Sequence, residues 1–294
     1  LNVKPRPRAP PQEGNACEVQ GQVMQAWLDR ASDPETEIEG WCDDGVGIGI
    51  NRQIKYCNVF PPVPEEEARA EVPDANELIE TAIDNYASMR ENAEDAKIEV
   101  ERVVKKRFAS RISKRRVRER FKGGQASKLA IIVKTKDDGT KKRRLIVDLK
   151  RSGRNALAYV AERVVLPRLQ DAVFMMLMMF QLLVNGGVIA ANGLWPPGDF
   201  GVELVSGDFS DAYYHFRTHQ SEWEHCVSPD VYDDTMLLWI HMCFGLKAAP
   251  LIWCRLAAAI ARCLAGMVEK WELMFQLYLD DPLLIVAGTR EARR

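Results

Sequence analysis

Three carboxylates mark where chemistry could sit: Asp208, and the adjacent pair Asp280-Asp281. Asp208 closes a strand-like run, Gly201 to Phe209, and the pair lies between two apolar runs, Leu273 to Leu279 and Leu283 to Ala287. Carboxylates brought together repel one another unless a cation lies between them. Hard divalent cations, Mg²⁺ or Mn²⁺, take such oxygen donors. Two ions roughly 3.5–4 Å apart are the arrangement that drives in-line phosphoryl transfer. Each piece alone is weak, since a Tyr-x-Asp-Asp string arises by chance in roughly one protein of this size in twenty. The order and the surroundings of the three carboxylates carry the reading.

The elements that must position them follow in sequence. After the Gly201–Phe209 strand comes a short helix or turn, Ser210 to about Arg217. Two strands, Glu222 to Ser228 and Thr235 to Met242, flank the turn at Pro229-Asp230. A helix rich in Ala and Leu runs from Ala248 to about Trp271, and the two strands around Asp280-Asp281 close the series. This is the split βαβ order. It predicts that the first and last strands lie side by side and antiparallel, so that all three carboxylates reach one sheet edge. Upstream, Leu129 to Lys134 and Arg144 to Leu149 read as a hairpin, with Asp137-Asp138-Gly139-Thr140 as its turn and Gly139 free to take positive φ.

The motifs on these elements resemble reverse transcriptases of gypsy-type retrotransposons. Gly207-Asp208-Phe209-Ser210-Asp211-Ala212-Tyr213-Tyr214 resembles the motif in which a metal-binding Asp precedes an Ala-aromatic pair. Phe244-Gly245-Leu246-Lys247-Ala248-Ala249-Pro250-Leu251-Ile252-Trp253 resembles FGL-x-x-AP-x-x-F, with Trp253 in place of Phe. Tyr278-Leu279-Asp280-Asp281 matches the YxDD box, and the hairpin resembles the fingers motif V-x-K-x-DG-x-x-R-x-x-VD. The four occur in the family's order from about Lys128 to Gly288. The resemblance implies an α+β fold: the fingers and palm of a right-hand polymerase, with a split βαβ palm sheet and packed helices. It divides the chain into a disordered or loosely structured spacer and linker (1–73), a helical lead-in with fingers (74–200), and a palm (201–294) that stops after the YxDD hairpin, without a thumb.

By the same resemblance Asp208, Asp280 and Asp281 are the catalytic carboxylates. They would hold two Mg²⁺ or Mn²⁺ ions with the Phe209 backbone carbonyl. Lys136 and Arg144 would grip the triphosphate of a dNTP, with Lys134 as the alternative to Lys136; the planar fork of Arg suits phosphate. Asp211 and Ala212 would offer backbone N–H groups near the sugar 3′-OH. Tyr213 would exclude a 2′-OH, Gly245 would let the backbone approach nucleotide and template, and Pro250 would open the following helix. Plainer roles compete: Asp211 as a helix cap, one of Tyr213 and Tyr214 as core, Trp253 as helix packing, and His215 and His219 as incidental hydrogen-bonding residues. Pro282 departs from the family's aliphatic residue, and the turn is expected to survive with altered geometry. The segment from Asp148 to Asp208 is longer than usual and carries no assigned role.

Composition sets the partners. The net charge of the 294 residues is −2, yet between Glu101 and Arg154 there are 21 Lys and Arg against 5 Asp and Glu. Such a block suits an anionic partner, here an RNA or DNA template with its primer. Lys105, Lys106, Arg107, Lys114, Arg115, Arg116 and Arg118 are the residues expected to touch its backbone, with binding that weakens steeply with salt. The seven cysteines form no CxxC pair, so a zinc site is not expected and the thiols read as reduced, in a cytoplasmic or nuclear protein. The apolar run Ala172 to Val184 is 13 residues long, short of the roughly 20 a membrane span needs, and reads as a buried helix. Asp74 to about Ser110 shows helical spacing, with Leu78, Ile79, Ile83 and Tyr86 on one face. Leu1 in place of Met suggests a piece of a polyprotein, whose thumb, RNase H, integrase or protease domains would be further partners; alone, little processive synthesis is expected. Two rival readings stand beside this one: a decayed or truncated element product that only binds nucleic acid, and a viral RNA-dependent RNA polymerase palm. Tyr213 and the FGL-x-x-AP motif count against the latter.

Overall fold

A computed structural model of the chain describes residues 20–64, 67, 84–121, 126–189, 198–269, 272–291 and 293. The fold is mixed α and β, with three small antiparallel sheets. At its centre lies helix Ala249–Ala265. Its small and apolar side chains let neighbours approach from several sides, and Ala249, Leu251, Ile252, Trp253, Leu256, Ala257 and Ala259 are all buried. Pro250 stands in its first turn, where a missing N–H costs nothing.

In chain order the elements begin with α1 (Gly21–Arg30) and α2 (Ile38–Asp43), then α3 (Ala87–Glu91) and α4 (Ala93–Lys105). Strand β1 (Ala109–Ser113), helix α5 (Lys114–Arg120), the hairpin β2 (Leu129–Thr135) and β3 (Lys141–Val147), and helices α6 (Arg154–Leu157) and α7 (Leu169–Asn185) follow. The last third holds β4 (Gly201–Ser206), β5 (Val227–Pro229), β6 (Thr235–Trp239), the central helix as α8, β7 (Leu273–Tyr278) and β8 (Asp281–Gly288). Strand β4 pairs antiparallel with β8 from Gly201↔Gly288 to Ser206↔Leu283, and β7 pairs with β8 on its other side. First and last strands are therefore neighbours, as the split βαβ order requires. Strands β5 and β6 join β1 in a separate sheet. The β2–β3 hairpin forms as expected, with Gly139 at φ +79 in its turn.

Several expectations are corrected. Residues 20–64, assigned to a loose spacer, contribute to the core: Leu28, Ile38, Trp41, Val46, Ile48 and Ile54 pack in the main cluster with α8 and the β2–β3 hairpin. Polar anchors from distant sequence hold them there. The Glu222 carboxylate accepts from the backbone N–H groups of Ile48, Asn51 and Arg52 at 2.8–3.1 Å. The fully buried Arg255 of α8 grips Glu35 through two bonds of 2.6 and 2.7 Å and donates to the Lys55 carbonyl. Apart from residue 67, the rest of the spacer lies outside the described residues.

The long helix expected over 74–110 is broken at Asn92 and ends at Lys105; Arg107 takes φ +61 and a strand begins at Ala109. Asp74, Leu78, Ile79 and Ile83 lie outside the described residues. The strand expected over Glu222–Ser228 is a 3₁₀ turn, Gln220–His225, followed by the short β5. Helix α7 forms, but it is not buried. Only Met179 and Leu183 are covered, against Ile285 and Ala287 of β8, while Leu169, Phe174 and Leu177 are more than 60% exposed. Apolarity predicted burial on all sides; the helix has one packed side. No helix among the described residues is long and apolar enough to cross a membrane.

Candidate active site

Beyond Ser206 the β4 chain stays in register with the start of β8. The Gly207 N–H donates to the Pro282 carbonyl at 3.1 Å and the Phe209 N–H to the Asp280 carbonyl at 2.8 Å. These two backbone bonds place Asp208 beside the β7–β8 turn. Tyr278 pairs with Asp281, leaving Leu279 and Asp280 as a two-residue loop. Leu279 takes φ +55 at a position that hairpin geometry reserves for Gly, a strain of about 1 kcal/mol. Pro282 is the second residue of β8, opposite Leu277, and accepts from Gly207 without an N–H to return. The turn thus tolerates the proline at the cost of one ladder hydrogen bond.

A cavity of about 310 Å³ opens at this edge. Asp208, Phe209, Asp211 and Asp280 line it together with Lys142, Arg143 and Arg144 of β3 and Arg102 and Lys106 of α4. Carboxylates and cations thus share one pocket, a mix of charge suited to a metal-bound polyphosphate. Asp281 does not line it. As the first residue of β8 it is exposed, and successive strand side chains point to opposite faces. Among the described residues no group of three His, Cys, Asp or Glu is close enough to hold a metal ion. The expected convergence is therefore one of backbone and of two carboxylates, not of three side chains. The donors present, two carboxylates with the Phe209 segment, are hard oxygen ligands of the kind Mg²⁺ takes. The nearby Cys254 thiol is pushed up to about 12 by burial and by Asp280.

Other expected site residues divide in the same way. Arg144 lines the pocket, its guanidinium 5.9 Å from the Phe244 ring centre. Lys136 sits in the hairpin turn, bonded to Thr140 through its backbone, and is exposed outside the lining. Lys134 lies opposite Lys142. Asp211 adopts φ 57 and does not cap its 3₁₀ turn; its carboxylate instead takes Arg102 at 3.0 Å and Lys106 at 2.6 Å. Burial raises its pKa, but these two cations outweigh burial and hold the carboxyl below its usual range. Ala212 is buried at the pocket wall. Of the tyrosine pair, Tyr214 is the core residue, 2% exposed and stacked on Phe108 with centroids 4.4 Å apart. Tyr213 is half-buried against Phe244, and burial, with Cys254 and Asp280 nearby, pushes its hydroxyl up to about 12. Gly245 takes φ +116, and a Cβ there would collide with the Val147 carbonyl. Its close approach is to the end of β3.

In the basic block, Lys105 and Arg107 end α4 exposed, while Lys106 is held by Asp211. Helix α5, capped by the Ser113 hydroxyl on the Arg116 N–H, buries only Val117 and leaves Arg115, Arg116 and Arg118 exposed, with Lys114 half-buried. Sequence reasoning missed three features. Asp95 takes Lys141 and Arg143 at 2.7 Å each, fastening the hairpin to α4. Lys142, two residues before Arg144, shares the pocket. Trp253, read as packing, donates its indole N–H to the Leu279 carbonyl at 2.8 Å. A Trp in place of the usual Phe was the available signal for that bond.

No protein-family model matches the chain, and no curated protein matches it. Among solved structures it is similar to a crystal structure of the native prototype foamy virus protease-reverse transcriptase, with a TM-score of 0.41 and 11% identity. The likeness covers 71% of this chain and spans about a fifth of that one, 21% of its length.

Proposed function

We propose that this chain carries the nucleotidyl-transfer site of an RNA-directed DNA polymerase of a gypsy-like retroelement, with fingers (β2–β3) and palm (β4–β8–β7). One observation carries the reading: the Phe209 N–H bonds to the Asp280 carbonyl, and Asp208, Asp280 and Arg144 line a single pocket. Asp208, Asp280 and the Phe209 carbonyl would hold Mg²⁺ or Mn²⁺, with Asp281 turning in as a further ligand. The metal would supply charge stabilisation to the transferring phosphoryl group. Arg144 and Lys142 would hold the triphosphate of the incoming dNTP, Tyr213 would screen its sugar, and Lys136 and Lys134 would reach it from the hairpin tip. Such transfers depend mainly on positioning and electrostatics, which a cation-walled pocket provides. Helix α5 and the end of α4 would follow the template backbone through Lys105, Arg107, Lys114, Arg115, Arg116 and Arg118. Further polyprotein domains would complete the clamp on the primer-template.

The test is addition of a single dNTP to a primed RNA template with Mg²⁺ or Mn²⁺. The parent should extend the primer, and the Asp280→Asn, Asp281→Asn chain should not. Equal extension by both would exclude this site. The placing of Asp281 outside the pocket favours a second reading, a product that binds nucleic acid without chemistry. Salt-sensitive RNA binding with no extension by the parent would select it.

A further inference from the structure

The turn that carries Asp280 is strained and hangs from one side chain of another element. Leu279 stands at φ +55 without the freedom of glycine. Its carbonyl belongs to the same peptide plane as the Asp280 N–H, and it accepts the indole N–H of Trp253 at 2.8 Å. Trp253 is 1% exposed in α8. Its ring meets Phe209 edge-on at 5.3 Å and stacks on His215 at 5.6 Å. One indole therefore touches the segment following Asp208 and the residue preceding Asp280. A phenylalanine, the residue of the resembled motif, keeps an aromatic ring there, though a smaller one, and has no N–H to give.

We propose that Trp253 is a positioning residue: its indole N–H fixes the Leu279–Asp280 peptide plane and so aims the Asp280 carboxylate into the pocket. This rests on the proposed metal site for its consequence, though not for its geometry. In Trp253→Phe an aromatic ring stays beside Phe209 and His215 while the turn loses its tether. The bond between the Phe209 N–H and the Asp280 carbonyl then opens more often.

Residue-resolved amide hydrogen exchange on the full chain, parent against Trp253→Phe, reads this without turnover. The Phe209 amide should exchange roughly five- to tenfold faster, the weight of one neutral hydrogen bond, while β1–β6 amides keep parental rates. Leu279→Gly, which removes the strain at positive φ, should restore slow exchange in the Trp253→Phe chain. In the addition assay, Trp253→Phe should raise the Mg²⁺ concentration for half-maximal rate several-fold and leave the dNTP KM unchanged. Parental exchange at Phe209 in Trp253→Phe would overturn the proposal. So would a Trp253→Phe chain that fails to fold with and without Leu279→Gly, because the indole would then serve only the core. A parent inactive in addition sinks the polymerase reading alone, since the exchange result stands by itself.

Discussion

In the β1–β6–β5 sheet the central strand buries Met236, Leu237, Leu238 and Trp239 in succession, covered on both faces. In the β4–β8–β7 sheet the central strand leaves Leu283, Leu284 and Val286 partly open, and β4 exposes every residue from Glu203 to Ser206. The carboxylate edge belongs to the second, thinly covered sheet. Packing over-determines the first; the second is set by a few directed bonds: Gly207 to Pro282, Phe209 to Asp280, Trp253 to Leu279. A region held this way can lose its geometry without the molecule unfolding. Mutations in the two regions should therefore separate stability from activity.

The largest effect belongs to the buried side. Arg255→Ala leaves Glu35 buried without its partner, and should cost about 3–5 kcal/mol in urea unfolding. Acid should act on the same side. Burial, with Arg217 and His215 nearby, lowers the His241 pKa from 6.5 to about 4, although its Nδ1 lies 2.6 Å from the Tyr214 carbonyl. The unfolded chain binds the proton first, so the stability is fully present above pH 6.5 and is lost as pH falls towards 4. His241→Asn should flatten that loss by about 3 kcal/mol, read from denaturant midpoints across the window. Gly245→Ala, strained at φ +116 and blocked by the Val147 carbonyl, should cost about 1–3 kcal/mol and loosen β3 from the Gly245 segment. At the site, Tyr213→Val should leave stability within about 1 kcal/mol and raise incorporation of ribonucleotides relative to deoxynucleotides. Leu204→Ala, on the exposed β4, is the smallest: within about 0.5 kcal/mol in stability. A loss of several kcal/mol there would erase the contrast between the sheets.

The sequence showed the hairpin, the strands around Asp280-Asp281 and the pairing of β4 with β8, because alternation, Gly139 and the split βαβ order are local signals. The same order put Asp208 and Asp280 at one sheet edge, while Arg144 was marked only by the family resemblance. What it did not show depends on distant partners. Trp41, Ile48 and Glu35 lie in a segment without periodic patterning, and the charge that pairs with the buried Glu35, Arg255, is about 220 residues away in sequence. The exposed side of α7 was illegible because hydropathy says that Phe174 and Leu177 avoid water, not whether anything covers them. The Trp253 bond needed the carbonyl of a residue 26 positions later. Asp281 was read as a third converging carboxylate from adjacency, while adjacency in a strand separates side chains.

The central claim is that Asp208 and Asp280 share a divalent cation. Replacing Mg²⁺ by Fe²⁺ with ascorbate and peroxide cuts the backbone where the ion sits. The account predicts cuts around 208 and 280, suppressed by excess Mg²⁺ and absent from both Asp208→Asn and Asp280→Asn chains. Cuts that persist in those variants, or none that Mg²⁺ suppresses, would contradict it.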